Sequence, residues 1–234
     1  EIWFRNRRMK WGREFSTSLS LLRNYYLAVF SFAVLSILFA NSYTSGGLLH
    51  PKQAAYDVIY YDLSFNVFPE KKYLKAEAKT LLRILNPIDS LRLDLVDHYV
   101  VNEVKIDNES SNFTHTGDIL LINLPNDIDG LIEATVLYEG KPPVAPNPPW
   151  DGGFTWSYDS VGNPWIGMSS ANEGGKVFFP CKDHPSDRVD SASIAITVPK
   201  GLSAASNGKL LRTIHMNNTS TFYWKTNYPI ANYN

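Results

Sequence analysis

From Tyr56 onward, apolar residues alternate with polar or charged ones at a period of two, and this pattern narrows the possible folds more than any other feature. It runs through residues 56–67 (YDVIYYDLSFNV), 73–85 (YLKAEAKTLLRIL), 89–96 (DSLRLDLV) and 100–107 (VVNEVKID). It returns in DILLINLP, LIEATVLYEG, SASIAITVP and STFYWKTNY. An extended chain sends successive side chains to opposite faces, so each segment predicts a strand with one apolar and one wet face. The intervening FPEKK, NPID, LPNDIDG and SNGK supply Pro, Asn, Asp and Gly where turns need special backbone angles. Regular strands with such punctuation predict an all-β, antiparallel, sandwich-like domain. Residues 140–150 (GKPPVAPNPPW) are too rich in proline for a strand and read as a stiff exposed loop. No long amphipathic helix is predicted after residue 47, and there is no internal repeat.

The first 47 residues differ in kind. Residues 27–40 (LAVFSFAVLSILFA) carry no charge, and small residues follow at Ala40 and Ser42. Fourteen residues are short for a membrane span, which needs about 20, but suit the apolar core of a secretory signal. An N-terminal apolar helix is expected, as a signal peptide or an uncleaved anchor with membrane contact through residues 25–40. The resulting division is 1–47 as basic stub plus signal and 48–234 as the β domain. The protein is then exported: secreted, periplasmic or anchored facing outward.

Charge follows the same division. Residues 1–23 hold six basic side chains against Glu1 and Glu14, a balance of +4, and the other 16 Lys/Arg and 21 Asp/Glu leave −5. A body this acidic has no general attraction for phosphate backbones. Residues 1–11 (EIWFRNRRMKW) nevertheless resemble the recognition helix of a homeodomain, with Arg5, Asn6 and Met9 at base-facing positions. An isolated helix of about a dozen residues is marginal in water, so nucleic-acid binding is not expected.

The body carries little recognisable chemistry. Its single cysteine, Cys181, excludes an intrachain disulfide framework. The five histidines show no H-E-x-x-H spacing, and no G-x-S-x-G or phosphate-cradling loop occurs. Neither a metal site nor a catalytic residue is therefore predicted within the chain. Four Asn-x-Ser/Thr acceptors, at Asn108, Asn112, Asn217 and Asn218, cluster at predicted turns and fit glycosylation of an exported chain. The adjacent Asn217 and Asn218 are too close for both to carry a sugar.

A series of motifs in order points further. Tyr138, Gly140 and Pro142 form Y-x-G-x-P, and an aromatic-rich hairpin follows. Pro180, Cys181, Asp183 and Pro185 form P-C-x-D-x-P. Val198 and Pro199 end a strand, Ser206 to Gly208 read S-N-G, and residues 222–230 read F-x-W-K-T-x-Y-P-I. Together, residues 54–234 resemble the amino-terminal domain of the aminopeptidase N family of zinc metallopeptidases, which includes the leukotriene hydrolase. The resemblance implies a saddle-shaped β domain that holds no zinc. It also implies a separate catalytic domain bearing G-x-M-E-N and H-E-x-x-H, expected to begin where this sequence stops. Zinc is then the cofactor of the full-length enzyme, peptides its substrates, the catalytic domain the partner, and the chain alone inactive.

The resemblance implies one substrate contact. A Gln or Glu nine residues before the Pro of P-C-x-D helps hold the substrate's α-amine, and here that position is Ala171, which cannot. Glu173 is the nearest acid; it either takes over the amine or lies on a solvated turn. Asp183 and Arg188 are expected to cap or pair within the turn after Pro180, and Cys181 to fill buried apolar space. Residues 169–175, with Phe154, Trp156 and Trp165 of the hairpin, are expected to face the catalytic domain. Two other classes stay open: a stand-alone β-sandwich binding module, and homeodomain-type DNA binding through residues 1–11.

Overall fold

The computed structural model describes residues 45–126 and 128–233. Arg5, Asn6, Met9 and the apolar run at 27–40 lie outside them. Among the described residues no helix is long and apolar enough to cross a membrane.

The alternation folds as its period requires. A one-turn helix, α1 (Pro51–Ala54), precedes β1 (Tyr56–Phe68), β2 (Tyr73–Ile84), β3 (Ser90–Asp94), β4 (Tyr99–Ile106), β5 (Glu109–Ser110), β6 (Phe113–Thr116) and β7 (Ile119–Asn123). Then come β8 (Gly130–Gly140), β9 (Gly153–Tyr158), β10 (Pro164–Ser169), β11 (Ser191–Pro199), β12 (Lys209–His215) and β13 (Thr219–Thr226). Eight strands form one sheet in the order β12-β13-β11-β1-β2-β8-β4-β5. A three-stranded sheet, β3-β7-β6, and the β9–β10 hairpin complete the fold.

The predicted all-antiparallel arrangement needs one correction. β1 runs parallel to β11, with Tyr60 opposite Ser191 and Asn66 opposite Thr197. Alternation reports which face a side chain occupies, not strand direction, and a parallel pair needs only a long crossover. Everything from β2 to β10 supplies it. Residues 140–150 are also less exposed than expected. Pro142, Pro143 and Ala145 are buried, and Val144 bridges to Phe154 of β9.

The core lies where the apolar faces meet. Leu74, Ala76, Ala78 and Leu82 of β2 join Ile132, Ala134, Val136 and Tyr138 of β8, and Leu91, Leu93, Leu120 and Ile122 of the small sheet join the same cluster. Burying each such aliphatic chain contributes roughly 1.5–3 kcal/mol. Thr80 shares the inward face of β2, is fully buried, and its hydroxyl has no hydrogen-bond partner. Thr80→Val keeps the shape and removes the orphaned group, so it should stabilise the domain by about 1 kcal/mol, read as a higher urea midpoint at unchanged m-value.

Candidate functional site

The P-C-x-D segment is a buried seam rather than a surface turn. Cys181 and Asp94 exchange backbone hydrogen bonds of 2.7 and 3.0 Å, extending β3 by one bridge. Cys181 is wholly buried, which pushes its thiol pKa well up and leaves it inert. Tyr138 of β8 donates to the Phe178 carbonyl at 2.7 Å, and Tyr99 of β4 to that of Val177 at 2.9 Å. The two tyrosine rings meet edge to face with centroids 5.3 Å apart. These contacts seat the residues before Pro180 on the large sheet.

Immediately upstream, residues 170–175 turn back on themselves, with the Gly174 amide donating to the Ser170 carbonyl at 2.9 Å. Three other segments converge on this loop. Ser45 N–H donates to the Asn172 carbonyl at 2.7 Å, Asn172 Nδ2 to the Trp150 carbonyl at 3.0 Å, and Ser170 Oγ to that of Tyr233 at 2.6 Å. Glu173 is half-buried, and its Oε2 accepts the Gly152 N–H. A Cβ on Gly152 would lie 2.6 Å from that oxygen, so the approach requires glycine. Among the described ion pairs, Glu173 has no cation. Ala171 is exposed at the loop's crest.

Asp183 does not stay within its own turn, as the sequence had suggested. Its Oδ1 accepts from Gly175 N–H at 3.2 Å and from Asn232 Nδ2 at 2.5 Å. Burial pushes its carboxyl up to about 6, against the pull of Lys176, whose Nζ lies 3.9 Å away. Asp187, not Arg188, makes the ion pair after Pro180: its Oδ2 lies 2.8 Å from Lys182 Nζ, whereas Arg188 is exposed. Spacing along a chain cannot reveal that Gln53, Asp94 and Asn232 converge on this segment, so none of them was anticipated.

The hairpin divides the aromatic residues that were expected to act together. Register pairs Trp156 with Ile166 and Trp165 with Ser157, so Trp165 points from the face opposite Trp156. Phe154 is buried and stacks on the half-buried Trp156, with centroids 5.4 Å apart. Trp165, Trp150, Tyr158 and Met168 are exposed.

No group of described residues could hold a metal ion. The histidines are dispersed into local contacts, such as His50 accepting from the Lys52 amide and His115 Nε2 with the Leu95 carbonyl. All four sequon asparagines are exposed. Asn108 (φ 71°) and Asp107 (φ 49°) form the left-handed turn between β4 and β5, and Asn217 and Asn218 lie between β12 and β13.

The model of the peptidase M1 N-terminal domain matches residues 58–233, well over half the sequence. The chain belongs to this family. The M1 N-terminal domain also has solved counterparts. It resembles the M1 zinc metallopeptidase from Deinococcus radiodurans at 23% identity and TM-score 0.62, covering 76% of this chain and 40% of that one. Another structure of a D. radiodurans enzyme, a mutant, is bound to a Tyr-Ser-Ala substrate. Native yeast LTA4 hydrolase matches at 20% identity and TM-score 0.60, over 77% of this chain and 28% of the hydrolase. At these identities the likeness shows the fold. The M1 N-terminal domain described here thus spans less than half the length of either relative. Compared with curated proteins, the sequence returns no match.

Proposed function

We propose that this M1 N-terminal domain forms the amine-binding side of an exported zinc aminopeptidase whose chemistry resides in a separate catalytic domain. The observation that carries the reading is a half-buried carboxylate, Glu173, on the braced loop that precedes P-C-x-D, in a chain of this family. Gly152 holds one of its oxygens and, among the described residues, no cation pairs with it, so it can accept hydrogen bonds from a substrate's α-ammonium. The D. radiodurans counterpart is a zinc metallopeptidase, and a zinc ion would supply Lewis-acid chemistry to such an enzyme. The described residues do not fit such a site. What the domain supplies is binding: it orients the free amino terminus so that the bond one residue away meets the partner's catalytic groups.

Export is supported by the charge-free run at 27–40 and by four exposed sequons. Glycans at Asn108 or Asn112, and at one of Asn217 and Asn218, would then lie on solvent-facing turns.

The test joins the chain to an M1 catalytic domain and follows release of an aminoacyl reporter. Activity is expected from the combination and not from the chain alone. A charge-assisted hydrogen bond contributes about 1.5–3 kcal/mol, so Glu173→Ala, which removes the acceptor, should raise KM roughly 10- to 100-fold while kcat changes little, and Glu173→Gln, which keeps an acceptor oxygen, should raise it less. An unchanged KM would remove Glu173 from the amine site, and cleavage by the chain alone would overturn the division of labour.

A further inference from the structure

Residues 170–174, which carry Glu173, are neither strand nor regular helix and run into a single 3-10 turn at Gly175–Val177, so the loop's shape depends on what it is tied to. Its C-terminal end is tied through one carboxylate. Asp183, with a side chain only 2% exposed, holds the Gly175 N–H and the Asn232 amide on the same oxygen, Oδ1. The Asn232 carbonyl lies so near that a Cβ on Gly175 would come within 2.5 Å of it. Asp183 is itself fixed from behind. Its N–H donates to Asp94 Oδ2 at 3.2 Å, and the same oxygen accepts from Gln53 Nε2 at 2.6 Å. A continuous set of hydrogen bonds thus runs from α1, through β3 and the P-C-x-D segment, to the loop and the C-terminal segment.

We propose that Asp183 is the positioning residue of the amine-binding loop, acting through Gly175 and Asn232 to hold Glu173 in place. The proposal rests on the reading of Glu173 given above and names the group that makes it rigid. A positioning carboxylate differs from general packing in two ways: its loss is felt locally, and an isosteric acceptor replaces it.

The groups facing Asp183 are Lys176 from the adjoining turn, Asp94 of β3 with Arg92 3.4 Å beyond it, the Cys181 thiol, and the Ser45 and Asn232 side chains. Burial outweighs the favourable partners and raises the carboxyl to about 6. Opening the loop would return it toward its ordinary value of 3.8, so ionisation favours the open loop and protonation the closed one. The opening equilibrium should therefore fall on the order of tenfold from pH 7 to pH 5.

Hydrogen exchange on the full chain tests this without any catalytic domain, so its outcome is separate from that of the Glu173→Ala kinetics. Asp183→Ala should speed exchange at residues 174–179 and 230–233 at least tenfold while β1 and β2 stay protected. Asp183→Asn retains the acceptor and should restore protection. Wild-type protection, corrected for intrinsic rates, should grow as pH falls from 7 to 5, and the Asn variant should show no such drift. Should the Ala variant not fold, the Asn variant and the pH series still decide. Unchanged loop exchange, acceleration spread across the whole domain, or a wild-type loop indifferent to pH would each overturn the proposal.

Discussion

Replacing Lys182 with methionine is expected to destabilise the domain by about 3–5 kcal/mol, because it strands a buried charge. Lys182 and Asp187 are each only 7% exposed at the side chain and pair at 2.8 Å. The same ammonium donates to the Tyr56 carbonyl at 2.7 Å and lies 4.9 Å from the centre of the Tyr56 ring. Among the described residues, removing it leaves the Asp187 carboxylate with the Val58 N–H at 3.3 Å as its remaining donor. The double variant Lys182→Met/Asp187→Leu removes both charges and should recover much of the loss, since apolar replacements of buried pairs are often neutral or better. The half-exposed Lys75–Glu139 pair, at 2.6 Å, sets the contrast: breaking it should change stability by no more than about 1 kcal/mol. Urea denaturation of the four proteins measures all of this. A Lys182→Met variant as stable as the wild type would show that water reaches the pair.

Gly174→Ala should have a comparable effect, centred on the loop. Gly174 adopts φ 77° and ψ −174°, a region essentially restricted to glycine, where another residue costs on the order of 1–3 kcal/mol. Space is lacking as well, since a Cβ would lie 2.0 Å from Asp183 Oδ1. That side chain is buried and hydrogen-bonded, so it cannot swing aside without giving up Gly175 or Asn232. Strain and the lost hydrogen bonds together should cost about 3 kcal/mol or more. Because Glu173 is the neighbouring residue, KM of the assembled enzyme should rise with it. Ala substitution at Gly117 is the control: it has φ 55° but nothing within 4 Å of an added Cβ, so it should lose about 1 kcal/mol and leave KM unchanged.

Strands with one wet face could be read directly from the residues. β1, β2, β4, β8 and β13 fall within a residue or two of the alternating segments, since burial on one side is what creates the period. β12 could not be read this way. It is an edge strand with nearly every side chain exposed, and a bulge between Leu210 and Arg212 breaks its register. A short strand that buries neither face leaves no periodicity to find. Around the candidate site, the family motifs located the loop that carries Glu173, and Cys181 is buried as expected. The structural reading of Asp183 placed it within its own turn, whereas its partners Gly175 and Asn232 are brought to it by the fold. Trp156 and Trp165 look equivalent in the sequence, and only the hairpin register reveals that they face opposite ways.

The parallel pairing of β1 with β11 bears on how the chain is made. β1 lies in the interior of the eight-stranded sheet and finds β2 almost at once, but its other edge waits for a strand about 130 residues later in the sequence. At a synthesis rate of about 5–20 residues per second, that edge stays open for roughly 7–25 s after β1 leaves the ribosome. During that time its unpaired amides and carbonyls, flanked by Leu63 and Phe65, can recruit another nascent chain. Polysome crowding, more than the final stability of the domain, should then set the yield of soluble protein, and slower initiation or a holdase that shields residues 56–68 should raise it.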